Sequence, residues 1–329
     1  MNRRTVNKAL LAALVSPGWS ARALAKASLP DNKPLHILVP FNAGGTTDVL
    51  ARAIAQGMST LLKVPVVVEN KPGASGTIAA GQVARARPDG TTLMLTTGST
   101  ATLIPHTISI KFDPLSTLRS VAVVGRTPLF LYAHPSIPAK TLPDLVQWIK
   151  AHPGKIAYGS YGAGTQGHFG GLILDHEAGI QMDHIPFSGG GPALQALVGG
   201  HIQLIFDAYT PGMEQVKAGH ALALGASSPE RSPYAPDVPT FRELGYPALE
   251  AISGFFGVFA PVNTPTEIVT LLNTTIEQVA ASAEFRERLP MLGVLPPAAM
   301  TPEQMDAYVR KQNADWAQLV TKLEYKPGA

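Results

Sequence analysis

"VPFNAGGTTDVLAR", residues 39–52, joins the end of an apolar strand to the start of a helix. Pro40 and Phe41 leave the strand, Gly44-Gly45 make a turn, and Thr46, Thr47 and Asp48 open the helix. Glycine reaches backbone conformations closed to other residues, and a helix start bares N–H groups at the positive end of its dipole. A strand, a glycine turn and a helix in this order belong to α/β folds, whose ligands bind beyond the carboxyl ends of the strands. The turn therefore predicts a bound anion, either a nucleotide phosphate or a carboxylate.

Outward from this unit, strands and helices alternate. Residues 35–39 are a continuous apolar strand, and Leu50, Ile54, Met58 and Leu61 place one apolar face on the helix that follows. "VPVVVEN", "TLMLTTGST" and "SVAVVG" read as further strands, and this order predicts a mostly parallel sheet flanked by helices. Around "RTPLFLYAHP" the chain leaves that unit. A second one follows in the helix "TLPDLVQWIKAH", the strand "KIAYGS", a helix after Thr165, "DHIPF" and "HIQLIFDA". The apolar stretch "GFFGVFAP" then precedes two helices without strands of their own, each opening on Thr-Pro with a Glu to reach back toward the cap. Helices of this kind are best placed against the first unit. The expectation is a two-lobed α/β protein whose chain crosses between lobes near 126–134 and near 253–260.

The first 25 residues differ in kind. A basic "MNRRTVNK", an apolar run and Ala23-Leu24-Ala25 form a cleavable export signal, by the twin-arginine or the Sec route. Its removal takes away four basic residues and no acids, leaving 22 basic against 23 acidic, so the mature chain carries about −1 rather than +3. Nucleic acid and direct membrane anchoring lose their electrostatic case. With no cysteine, disulfides, thiolate metal sites and a lipidated cysteine are excluded. The expected compartment is a periplasm. The expected division is 1–25 for the signal, 26–128 plus 254–329 for lobe 1, and 129–253 for lobe 2.

The second lobe has a glycine turn of its own, "YGAGTQGH" at 161–168, again between a strand and a helix. Gly162 to Gly167 spell G-x-G-x-x-G, yet the acid that would hold a ribose is at the wrong end of the next strand, at Asp183. No Walker lysine is present, so a nucleotide is the minor alternative. What remains is a pair of glycine-hydroxyl turns, one per lobe, with "TTGST", "FSGGGP" and the exit at Asp207 between them. No arginine falls in these loops; backbone amides, hydroxyls and water serve a carboxylate. Asp207 repels such a ligand unless it accepts from a ligand hydroxyl or ammonium, and a turn-capping role is its simpler reading. His168 and His184 lack a nucleophile partner, and zinc spacings are absent.

Six segments taken in order, "VPFNAGGTTDVLAR", "VVVENKPGASG", "YGSYGAGTQGH", "IPFSGGGPALQALVGGHIQLIFD", "SPERSPYAPDVPTFRELGYP" and "APVNTP", resemble the extracytoplasmic receptors of tripartite tricarboxylate transporters, the Bug-type receptors. The resemblance runs from about residue 35 to the C-terminus. It implies a type II "Venus flytrap", monomeric, without cofactor, metal or catalysis, which binds a small organic acid and hands it to membrane permease subunits. It carries ligand contact onto Phe41, Ala43, Gly44, Gly45, Thr46 and Asp48, then Thr97 and Ser99. In the second lobe it carries contact onto Ser160, Gly164, Thr165, Phe187, Ser188, Gly189 and Asp207. Three departures bear on ligand identity: Phe187-Ser188 where a Tyr-Lys pair is common, Phe255 where Trp is common, and Leu172 or Ile173 where a Glu is common. An exported sensing module and a nucleotide-dependent enzyme stay as alternatives.

Overall fold

The computed structural model describes residues 29–30, 33–110 and 112–326; the expected export signal lies outside them. In chain order the first sheet takes β1 (Leu35–Val39), β2 (Val66–Asn70), β3 (Thr92–Thr97) and β4 (Leu118–Thr127). Between them run α1 (Thr46–Leu62), α2 (Thr77–Ala84) and three single-turn helices, α3 (Ser99–Thr102), α4 (Ile104–Thr107) and α5 (Pro114–Thr117). The second sheet takes β5 (Phe130–Ala133), β6 (Ala157–Ser160), β7 (Asp183–Pro186), β8 (Leu204–Asp207) and β9 (Leu222–Ala226). Its helices are α6 (Leu142–Ala151), α7 (Gln166–Ala178), α8 (Gly190–Val198) and α9 (Tyr209–Lys217). The chain then returns to the first sheet as β10 (Gly254–Pro261). It ends in α10 (Thr266–Ala281), α11 (Ala283–Arg286), α12 (Leu289–Leu292) and α13 (Pro302–Lys322).

The strand orders are β2-β1-β3-β10-β4 and β7-β6-β8-β5-β9. The expected two-lobed α/β arrangement is present, with each sheet mixed by one reversed strand. β10 runs antiparallel to β3 and β4, and β5 antiparallel to β8 and β9, while the remaining pairings are parallel. The reversal has a topological cause. The chain leaves β4 at its carboxyl end and enters the second sheet at that side, so β5 must run away from the crossover. The return through β10 obeys the same rule.

Alternation along the strands sorts side chains onto two faces of each sheet. In the first sheet Leu35, Ile37, Val39, Leu93, Leu95 and Val258 pack under α1 and α10, while Leu38, Met94, Phe255 and Phe259 pack under α2 and α13. In the second, Leu131, Leu204 and Phe206 meet α6 and α7, while Phe130, Tyr132 and Ile205 meet α8 and α9. Helix α13 serves both lobes: Met305 and Val309 join the first sheet's cluster, and Trp316 and Val320 join the second's. Placement of both terminal helices against the first lobe therefore holds for only half of α13. The Thr-Pro starts also divide. Thr301 closes a capping box with Gln304, whereas the Thr264 hydroxyl donates to the Pro261 carbonyl and leaves α10 without a side-chain cap.

The two crossover segments are tied together by Ser227. Its Oγ accepts from the Leu129 amide at 2.9 Å and lies 3.1 Å from Ser253 Oγ; the Ser253 hydroxyl donates to the Ser227 carbonyl at 3.0 Å. Ser227 is fully buried. Ser227→Ala strands the Leu129 amide and is expected to cost about 1–3 kcal/mol of unfolding free energy, measured by urea denaturation.

Candidate ligand-binding cleft

Strand direction decides where the loops lie. β4 ends and β10 begins at the crossovers, so the carboxyl ends of β1, β2 and β3 share that edge of the first sheet. β5 begins at the crossover, so the carboxyl ends of β6, β7 and β8 share the matching edge of the second. The Gly44 turn follows β1 and the Gly164 turn follows β6, each two strands out from the crossover strand of its sheet. Inter-lobe contacts show the edges facing. A Cβ on Gly164 would stand 2.8 Å from Thr107 Cβ of the first lobe. A Cβ on Gly254, where β10 begins, would stand 3.3 Å from Gln166 Nε2 at the start of α7.

The two turns share one backbone design. Gly44 has φ +85° and Gly164 φ +73°, the left-handed region that a glycine occupies without strain. The next residue is extended in both, Gly45 at −76°, 167° and Thr165 at −90°, 167°, and the helix then begins. In each turn the left-handed glycine donates its amide to the side chain four residues on. Gly44 N–H meets Asp48 Oδ2 at 2.9 Å, and Gly164 N–H meets His168 Nδ1 at 3.1 Å.

Asp48 is buried and its carboxylate is fully engaged. Besides Gly44 it accepts from Arg52 Nε at 3.0 Å and from Asn70 Nδ2 at 3.0 Å, and a second Arg52 nitrogen lies 3.0 Å from Oδ1. Burial alone would raise its pKa, but the Arg52, Gly44 and Asn70 hydrogen bonds outweigh it and hold the carboxyl below its ordinary value. Asn70 also donates to the Phe41 carbonyl, so the end of β2 braces both sides of the turn. Above this base Ala43, Gly44 and Gly45 are exposed and Thr46 is half-buried. Among the described residues the amides of Gly45, Thr46 and Thr47 meet no acceptor within the chain.

The second turn is chemically different. Ser160 Oγ donates to the Gly162 carbonyl at 2.9 Å and lies 2.8 Å from His184 Nε2. Thr165 Oγ1 donates to the same carbonyl at 2.6 Å, and the Gly167 amide donates to the Tyr161 hydroxyl. The His168 and His184 rings stack at 3.7 Å and 6°. Burial pushes His168 down to about 3, with His184 beside it adding to the effect, and burial pushes His184 down to about 4. Both imidazoles stay neutral near pH 7, which keeps His168 Nδ1 an acceptor. Because the amides of Gly164 and Gly167 are already taken, G-x-G-x-x-G here is an internally bonded turn.

The remaining expected residues sit on the same edges. Thr97 and Ser99 hydroxyls pair at 3.0 Å at the exit of β3. Phe41 and Phe187 are half-buried against the cores, and Ser188 and Gly189 lead into α8. Asp207 ends β8, where burial pushes its carboxyl up to about 6. Its Oδ1 accepts from the Ala208 amide at 2.8 Å, while Oδ2 is buried without a partner. Arg52, Asn70, His168 and His184 were not among the expected contacts, although Asp48 and Arg52 at i and i+4 are a legible pair. An open recess of about 490 Å³ between α8 and α9 is lined by Leu194, Gln195, Val198 and Gln215 among others and has no charged lining. The two glycine turns are elsewhere, at the strand exits.

Two predictions test this geometry. Asp48→Ala leaves the Gly44 and Asn70 donors without their acceptor and is expected to cost about 2–3 kcal/mol; Asp48→Asn recovers part of it in the same denaturant titration. For His168, the unfolded chain takes up a proton below pH 6.5 that the folded chain refuses until about pH 3. Stability is therefore fully present above pH 6.5 and falls as pH drops, by up to about 1.4 kcal/mol per pH unit. Asp175, pushed up to about 7 by burial, and Asp207 act with the opposite sign, losing stability as pH rises from 3.8. His184, held down to about 4, acts with the same sign as His168. Against that background His168→Gln should raise stability at pH 4 relative to pH 6.5 when compared with the unaltered protein, measured by thermal melts across that range.

Comparison with known proteins gives a consistent result. Residues 50–325 match the model of the tripartite tricarboxylate transporter family receptor. The chain is 34% identical to Protein BugT of Bordetella pertussis over 296 residues, which cover 89% of this chain and 90% of that one. An R. palustris protein solved with adipate superposes with a TM-score of 0.80 at 30% identity, covering 89% of this chain and 98% of that one. MatC from Rhodopseudomonas palustris with bound malate superposes with a TM-score of 0.76 at 32% identity, covering 87% and 98%.

Proposed function

The chain belongs to the family of tripartite tricarboxylate transporter receptors, and on that premise we propose that it is an exported, periplasmic receptor for a small organic acid. Of its solved relatives, BugD is a periplasmic binding protein and the two above hold malate and adipate. The observation that carries the reading is the gathering of both glycine turns on facing sheet edges beside the crossovers. A ligand held between those edges bridges the lobes and favours the closed state by its contacts with both.

The contact set we propose is Phe41, Ala43, Gly44, Gly45 and Thr46 with Thr97 and Ser99 from the first lobe, and Ser160, Gly164, Thr165, Phe187, Ser188, Gly189 and Asp207 from the second. Asp48 has a positioning role, since its oxygens are committed to Gly44, Arg52 and Asn70. In this reading, which membership of the family supports, the protein acts as a monomer and hands its ligand to membrane permease subunits. Among the described residues no helix is long and apolar enough to cross a membrane.

Calorimetric titration with mono-, di- and tricarboxylates tests this. At least one acid is expected to bind tightly. Gly44→Val, a β-branched residue at a left-handed position, should weaken it roughly tenfold or more. A folded protein giving no heat with any of the acids would remove the reading.

A further inference from the structure

The two turns match in backbone shape but differ in what they leave free, and that difference points to a ligand with two unlike ends. In the first lobe the opening amides of α1 meet no acceptor among the described residues. Arg52 neutralises Asp48 beneath them. That end of the cleft is a donor surface, suited to a carboxylate. In the second lobe Thr165 and Gly167, the counterparts of Gly45 and Thr47, have spent their amides internally, and of the three opening amides only that of Gln166 meets no acceptor among the described residues.

The strand exits differ in the same sense. The sheets have equivalent orders, so the exit of β3 corresponds to that of β8. The first ends in the neutral Thr97, and the second in Asp207. Asp207 is more than nine-tenths buried, and its Oδ2 has no hydrogen-bond partner. That oxygen lies against the start of α8: a Cβ added to Gly190 would be 3.1 Å from Oδ2. Lacking a side chain, Gly190 lets the start of α8 approach the carboxylate this closely at the exit of β8. Tyr132 of β5 and Tyr161 after β6 lie within electrostatic reach, and neither donates to Asp207. A buried acceptor without a donor carries a desolvation cost that a ligand donor would offset.

We propose that the site selects organic acids bearing a hydroxyl or ammonium group, with the carboxylate received by the first turn of α1 and the donor group by Asp207. This rests on the receptor reading above and narrows its ligand class. An acid without the donor brings a second negative charge toward an unpaired one; an acid with it gains a charge-assisted hydrogen bond worth about tenfold in affinity or more.

The test is calorimetric titration of the purified protein and of Asp207→Asn with two matched series. Succinate, malate and aspartate differ by hydrogen, hydroxyl and ammonium on one carbon; adipate, 2-hydroxyadipate and 2-aminoadipate repeat the comparison at greater length. In the unaltered protein the hydroxy or amino acid of a series is expected to bind at least about tenfold tighter than its plain parent. In Asp207→Asn, confirmed folded by its melt, that margin should shrink to about threefold or less, most of all for an ammonium ligand. A hydroxyl preference without an ammonium preference, or the reverse, identifies the donor. Plain diacids binding as tightly as their substituted partners would overturn the inference and leave the receptor reading standing, as would an unchanged margin in the variant. Binding by none of the six acids removes the receptor reading for these sizes and the inference with it.

Discussion

Each sheet is entered from the crossover side by a strand that runs against its neighbours, and the rest of the site depends on that constraint. Once β5 and β10 are reversed, every parallel strand must end at the edge where the lobes meet. The helix starts that follow β1, β3, β6, β7 and β8 are then gathered there without any long loop to bring them. A binding surface of this kind is built from backbone amides and short side chains, because the fold has already supplied the direction of each helix dipole.

Polar groups hold that edge in shape. Below the first turn, Asp48, Arg52 and Asn70 form one connected network, and the glycine amide is one of its donors. Below the second, two stacked neutral imidazoles do the equivalent task, with Ser160 linking one of them to the turn. The solutions differ because their surroundings do. An exposed guanidinium can reach Asp48 and stabilise its charge, whereas the second turn is packed against Tyr158, Phe169 and Tyr325, where a charged acceptor would be costly.

How far the sequence foretold this varies with the range of the interaction involved. The glycine turns and the helices they open rest on local chemistry, and both are where residue patterns place them. "PLFLYA" reads as a crossover but is β5, a central strand of the second sheet, and β9 has no clear local signature. Strand direction was out of reach for the same reason, since it depends on which distant strand becomes the neighbour. The stripe Met305, Val309, Trp316, Val320 marks α13 as amphipathic without revealing that its two halves bury against different lobes. In the site itself the sequence shows that Asp48 and Asp207 are acids at strand exits, but not that one is saturated by partners and the other has a bare oxygen.

That contrast matters for closure. A ligand shifts an open–closed equilibrium only through contacts it makes better in the closed form. Contacts with α1 alone bind the open lobe as well as the closed protein and move nothing. The second contact must come from across the cleft, where Thr165 and Gly167 have spent the amides that Gly45 and Thr47 leave free. In the proposed contact set Asp207 supplies what that side lacks, a strong acceptor whose Oδ2 has no partner among the described residues. The free-energy gain at closure then falls on the group that distinguishes one small acid from another. On the proposed contacts affinity and selectivity would rest on different lobes, which α13 and the Ser227 hydrogen bonds connect.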